Sequence, residues 1–472
     1  MNRRGDKLKK RATGSTRQCV EFVVSLIITV LLTRAWFLEG FIVPSSSMAE
    51  TLEGVHCHVV CAECGQEFDC GTDLVPMRDT AICLNCGFSN QAQRNEQVSG
   101  DRLLVHKSAY LFRSPRRWEV IVFRRPDVAA KVYIKRVIGL PGEEVQIREG
   151  DVFINGQIQQ KSLEELRAVS VLVHDSRHVP HHQPSLPPRW ASQSKETQWL
   201  TGDDRFICTP SAEVSVAQKD VPIDWLTYRH WVRLAGSTPR AREVPLDDSY
   251  AYNRLAAEPQ LDVHPVKDVM LRAMVEAQGT GNLLLLATDG RERFLAEIHP
   301  ASGACRLIHA GAVVAHGQLS APLLGRPYTI ELALCDQQVL FAVDGESPWP
   351  AFAYPSNQTP WQPSSRPLAI GSQGLTLDVA SLEVWRDVYY THPRGYQVWA
   401  IDEPYQLAAD EYFVLGDNSP VSEDSRLWED GPGVPESLLV GKPLAVHLPS
   451  RLLQSEWGQI QVPDPARIRY IR

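Results

Sequence analysis

The ten residues Tyr133-Ile-Lys-Arg-Val-Ile-Gly-Leu-Pro-Gly142 set a lysine and an arginine side by side in an otherwise apolar run. Pro141-Gly142 is a turn signal, so the run reads as a strand that stops there. Strand alternation puts Tyr133, Lys135 and Val137 on one face and Ile134, Arg136 and Ile138 on the other. Lys135 therefore shares a mostly apolar face. Loss of water there favours the neutral amine over an ammonium whose ordinary pKa is about 10.4. Arg136 on the opposite face stays charged and needs a carboxylate.

A second constraint lies at the start of the chain. Residues 1–18 are a basic tail, with Arg3, Arg4, Lys7, Lys9, Lys10, Arg11 and Arg17 against Asp6. The uncharged run 22–33 is shorter than the ~20 residues that span a bilayer. Extended to Leu38 it is long enough, with Arg34 snorkelling to the headgroups and Trp36 and Phe37 at the interface. Residues 19–38 are thus expected to be a transmembrane anchor. The tail would lie in the cytoplasm and the rest beyond about residue 40 on the extracytoplasmic side of the cell membrane. A cleaved signal peptide is the alternative, but no small-x-small site follows the run. The net charge of -8 over 472 residues argues against a nucleic-acid binder.

Just past this segment stands Pro44-Ser45-Ser46-Ser47-Met48. A serine hydroxyl is a weak nucleophile until a base takes its proton, and a neutral lysine can be that base. Further strands are expected at 101–105, 119–123 and 151–158, the last folded at the hairpin signal Asn155-Gly156. A short helix is expected within 161–169, and irregular structure over 174–200. Another strand, 411–415, runs into Gly416-Asp417-Asn418-Ser419.

Four segments, in order, resemble the boxes of bacterial type I signal peptidases. They are Pro44–Leu52, Gly100–Val105, Tyr133–Gly142 and Gly416–Arg426. The resemblance covers less than half of the chain. It implies a membrane-bound serine endopeptidase that removes N-terminal signal peptides from exported preproteins through a Ser-Lys dyad. Ser47 is then the nucleophile and Lys135 the base. The Ser45 hydroxyl joins the Ser47 N–H as oxyanion donor, and Ser422 hydrogen-bonds and orients the Lys135 amine. Asp417 or Asp424 answers Arg136, and Arg426 supports the last box. The implied partners are preprotein signal peptides, the lipid bilayer and the secretion translocon, with no nucleic acid. No cofactor enters the chemistry. Three positions depart from the family pattern: Glu50 stands for a proline, Trp118-Glu119 for Gly-Asp, and Ser419 for an arginine.

Two stretches interrupt these boxes. Cys61-x-x-Cys64-Gly65 and Cys83-x-x-Cys86-Gly87 have the spacing of a tetrahedral zinc site. A zinc-ribbon-like insertion over 57–97 is expected ahead of disulfides, which an extracytoplasmic location would permit. Cys57 and Cys70 are close enough in sequence to pair. Cys19, Cys208, Cys305 and Cys335 read as buried or unpaired thiols. From about 205 to 390 the chain carries many short β-like runs, 368–371 and 380–390 among them, and the insertion over 163–394 resembles a concanavalin A-like sandwich. Such a module binds a glycan or a protein, or serves as a spacer. The expected fold is mainly β, with catalytic parts at 39–56, 98–162 and 395–472. A catalytically silent homologue that binds cell-surface glycans or proteins is the alternative function, and a self-cleaving regulator of the same dyad class a further one.

Overall fold

The computed structural model describes residues 17–29, 31, 36–72, 80–91, 97–125, 131–181, 186–192, 194, 196–202, 205–210, 222–234, 240–253, 263–355, 360–392, 398–447, 450–455 and 458–471. Most of the basic tail and residues 30 and 32–35 of the expected anchor lie outside them. Residues 17–29 are helical with exposed side chains. Among the described residues no helix is long and apolar enough to cross a membrane.

The site rests on an eight-stranded antiparallel sheet. Its strands run in the order Leu38–Ile42, Arg102–His106, Leu439–Val446, Val120–Arg124, Val132–Gly139, Glu411–Leu415 and Val434–Pro435, with Arg469–Tyr470 beside Leu439–Val446. Val132–Gly139 lies between Val120–Arg124, where Ile121 opposes Lys135, and Glu411–Leu415, where Leu415 opposes Arg136. The alternation read from the sequence holds. Tyr133 and Val137 pack with Ile121, Phe123 and Val414, whereas Ile134 packs with Val120, Val122 and Met48. A second sheet of four strands contains the hairpin Asp151–Ile154 and Gln157–Ile158. Asn155 (φ 51°) and Gly156 (φ 77°) form its turn, as the dipeptide requires. The short helix is Leu163–Val169, closed by a capping box between Ser162 and Glu165.

Strands between Val171 and Arg386 build a separate thirteen-stranded sheet. Two expectations change here. The runs at 368–371 and 380–390 join into one 19-residue strand, Leu368–Arg386, paired along its length with the 20-residue strand Val269–Thr288. The stretch expected to be irregular holds the short strands Trp190–Ser192 and Trp199–Thr201. The two long strands stay paired because the register shifts between Gly279 and Asn282. Gly281 makes this possible: a Cβ there would lie 2.1 Å from Gln373 O, and its φ is 151°. Val269 and Leu271 before the shift, and Leu283 and Leu285 after it, enter one apolar core with Ile330, Leu332, Phe294 and Ile298.

Gly281→Ala is therefore expected to cost roughly 2 kcal/mol or more, through strain and a backbone clash. Gly311→Ala, also left-handed (φ 81°) but open to space, is expected to cost roughly 1–2 kcal/mol. Urea unfolding of the two variants checks the order.

Candidate active site

Met48 is buried in the core beneath the strands Arg102–His106 and Val120–Arg124. That anchor fixes its neighbour: Ser46–Met48 is a single 3₁₀ turn, with Ser47 at its centre and Ser45 extended before it. Lys135 Nζ lies 2.6 Å from Ser47 Oγ and donates to Ile134 O at 3.2 Å. A neutral amine has two N–H groups and one lone pair, so this geometry leaves the lone pair for the serine proton. Ser45 Oγ is 3.4 Å from Ser47 Oγ, and its residue is exposed. A cleft of about 510 Å³ opens here, lined by Phe41, Ile42, Tyr133 and Val421 as well as the dyad.

Burial lowers the Lys135 pKa to about 8, against the pull of Asp424, Asp417 and Glu423. All three carboxylates already have cation partners, Glu423 pairing with Arg125. Asp417 holds Arg136 through a bidentate pair, Nε–Oδ1 2.7 Å and Nη2–Oδ2 2.6 Å. The third arm of Arg136 donates to Trp118 O at 2.6 Å. Asp424 instead pairs with Arg426 at 2.9 and 2.8 Å, both side chains fully buried. Burial pushes the Asp424 carboxyl up, but the Arg426 guanidinium outweighs it and holds the carboxyl below its ordinary value. The sequence left Asp417 and Asp424 open for Arg136; the geometry chooses Asp417.

Ser422 differs from what the resemblance implied. Lys135 Nζ makes its contacts with Ser47 Oγ and Ile134 O rather than with Ser422, whose buried hydroxyl instead helps hold the Asp424 carboxyl low. Ser422 does lie against the dyad. A Cβ on Gly416 would fall 2.2 Å from Ser422 Oγ and 2.4 Å from Ser47 O, so only glycine lets these segments meet. Sequence reasoning missed Gly416 and also Asn418. The Asn418 side chain donates to Ser46 O at 2.9 Å and its N–H to Ser47 O at 3.2 Å.

The departures have local reasons. Trp118 adopts φ 65°, a conformation that suits the glycine usual there. Burial of its indole against Lys161, 4.5 Å away, opposes that strain. Glu119 keeps a carboxylate in place, bound by Arg113 and Lys442. Ser419 Oγ accepts from Arg426 Nη1 at 2.8 Å. Glu50 follows a cis peptide and lines a neighbouring crevice with Glu53 and Asp69.

The four cysteines converge. Cys61 Sγ–Cys86 Sγ is 3.5 Å and Cys64 Sγ–Cys83 Sγ 3.7 Å, and all four sulfurs lie within 4.8 Å of one another. Zn–S bonds of about 2.3 Å in a tetrahedron require S–S edges of ~3.8 Å, so the set fits zinc. Gly65 (φ 72°) and Gly87 (φ 68°) close the two equivalent turns. Cys57 and Cys70 oppose each other across two strands, and no disulfide joins them. Cys19 is exposed, while Cys208, Cys305 and Cys335 are buried and free. Two further clusters already hold cations: Lys161 between Asp336 and Asp387, and Arg467 between Glu53 and Asp69.

The family model described as signal peptidase, peptidase S26, matches residues 80–205 and 377–448, which include Lys135 only in its first part and Gly416–Arg426 in its second. Signal peptidase I V of Bacillus subtilis is 40% identical over 76 residues, 16% of this chain and 44% of that protein. Signal peptidase I of Leptolyngbya laminosa is 52% identical over 65 residues, 12% of this chain and 32% of the relative. The chain thus spans less than half the length of these curated relatives. A carbohydrate-binding module from Bacillus subtilis overlaps 42% of this chain and 92% of its own, with a TM-score of 0.22 and 9% identity, too low to assign a fold or a ligand.

Arg426→Ala would leave Asp424 buried without its cation, at an expected cost of about 3–5 kcal/mol. The sign of the pH effect follows from the lowered carboxyl. Its contribution is present above the unfolded carboxylate value and is lost as pH falls through the folded one. The loss in Arg426→Ala, read by urea unfolding with tryptophan fluorescence, should therefore be largest near neutral pH and shrink as pH falls through the carboxylate range.

Proposed function

We propose that the protein is a serine endopeptidase of the signal peptidase I type, cleaving signal peptides from exported preproteins. The observation that carries this is the 2.6 Å contact between Ser47 Oγ and a buried Lys135 Nζ. Neutral Lys135 takes the Ser47 proton as Oγ attacks the scissile carbonyl. The tetrahedral oxyanion forms beside the Ser47 N–H and the Ser45 hydroxyl. The lysine then protonates the leaving amine, and water, activated by the same amine, hydrolyses the acyl-enzyme. By the resemblance, Ser422, which meets Ser47 O across Gly416, orients the amine. All of this runs on side chains, with no cofactor.

The substrate lies extended in the cleft. Leu38–Ile42 is the outer strand of its sheet, so its free edge can accept a peptide as an added strand. Exposed Trp36, Phe37, Leu111 and Phe112 flank the adjoining strands and suit a lipid surface. They support a lipid-facing surface beside an anchor at 19–38; the extracytoplasmic side of the cell membrane and a place beside the translocon follow from the peptidase reading. Cys61, Cys64, Cys83 and Cys86 hold a structural zinc in a ribbon over 57–97, inserted into the catalytic chain like the sandwich over 163–394. That module is a spacer or takes a glycan or protein ligand.

Ser47→Ala and Lys135→Ala should each lower preprotein cleavage in detergent by on the order of 10⁴-fold or more; near-normal activity in either would refute the dyad. Because the base must be neutral, kcat/KM should rise about tenfold per pH unit below about 8 and flatten above it. At pH 7 roughly a tenth of the enzyme would be active. Metal analysis should find about one zinc per chain, lost in Cys83→Ser; protein without zinc and without free thiols would exclude the ribbon.

A further inference from the structure

The thirteen-stranded unit sends one short segment away from its own core and into the back of the active site. Tyr250 and Tyr252 are buried, each about 1% exposed. Tyr250 OH donates to Asp417 O at 2.7 Å. Asn253 and Asn418 exchange amide hydrogen bonds, the one from Asn418 Nδ2 to Asn253 Oδ1 being 2.8 Å. Tyr252 O accepts from Gly71 N at 3.0 Å, and its ring fills the place of a Gly71 side chain beside Ser46 Oγ.

The segment is itself held rigidly. Arg386, fully buried, donates to Asp248 O and Ser249 O at 2.9 and 3.0 Å. Its guanidinium lies 4.4 Å from the centre of the Tyr250 ring. Arg386 ends the long strand Leu368–Arg386, so the whole sheet stands behind Tyr250.

The two residues it grips are the ones that serve the dyad. Asp417 holds Arg136, which neighbours Lys135 in the same strand, and Asn418 holds the carbonyls of Ser46 and Ser47. We propose that Asn253, with Tyr250, is a positioning residue: the large β unit sets the distance between Ser47 and Lys135. The proposal rests on the peptidase reading above. Neither residue touches the substrate or the reacting atoms. Losing the Asn253 amide frees the buried Asn418 side chain to turn away from Ser46 O, and the nucleophile drifts from its base. A displacement of about 1 Å is enough to cost on the order of 100-fold in rate.

The test is steady-state cleavage of a preprotein by the full chain in detergent, with thermal unfolding measured in parallel. Asn253→Ala should lower kcat about tenfold or more, keep KM within about twofold, and keep the pH midpoint near 8. Tyr250→Phe removes one hydroxyl with little change in shape and should lower kcat in the same direction. It serves if Asn253→Ala does not fold. Arg205→Ala, which breaks an exposed pair with Asp378 in the same β unit, should leave kcat unchanged. Wild-type kcat in both Asn253→Ala and Tyr250→Phe, whether or not they melt earlier, would overturn the positioning role and leave the peptidase reading intact. No cleavage by the wild type would overturn the peptidase reading, and the positioning role with it.

Discussion

The buried pair between Arg136 and Asp417 is the contact on which the site depends. It joins the strand Val132–Gly139 to the segment that follows Glu411–Leu415. Arg136 can be buried only because the carboxylate and Trp118 O satisfy it. Once Arg136 points to that side, strand alternation sends Lys135 to the other, toward Ser47. Asp417 is followed at once by Asn418, which grips the serine turn. One ion pair therefore sets the direction of Lys135 and the place of Ser47.

The lowered pKa of Lys135 needs a dry setting and weak anionic competition. Burial supplies the first. The second comes from cation partners for the nearby acids: Asp417 is bound by Arg136, Asp424 by Arg426, and Glu423 by Arg125. An unpaired carboxylate at any of these places would favour the ammonium form of Lys135.

Much of the site is legible in the residues. Lys135 and Arg136 follow from an alternating strand, Ser47 is singled out only by the resemblance of its segment to a known family, and Met48 proves to be the anchor of that turn. Cys61, Cys64, Cys83 and Cys86 follow from spacing, since each Cys-x-x-Cys-Gly turn is local. Gly416 has no comparable signal: its glycine is needed only because Ser422 and Ser47 O approach it from distant parts of the chain. The choice between Asp417 and Asp424 is likewise a matter of which arginine each one meets. The long strands Val269–Thr288 and Leu368–Arg386 hide behind glycines that read as turns but act as bends within paired strands.

Local chemistry is written along the chain: which strand carries the lysine, and which cysteines come together. These depend on alternation and short spacing, which neighbours along the chain dictate. Only the tertiary structure decided that Lys135 meets Ser47 across 88 positions, that Asp417 rather than Asp424 answers Arg136, and that Tyr250 and Asn253 stand behind both. Those outcomes come from packing and hydrogen-bond satisfaction among buried groups. That balance exists only when distant segments have already been brought together.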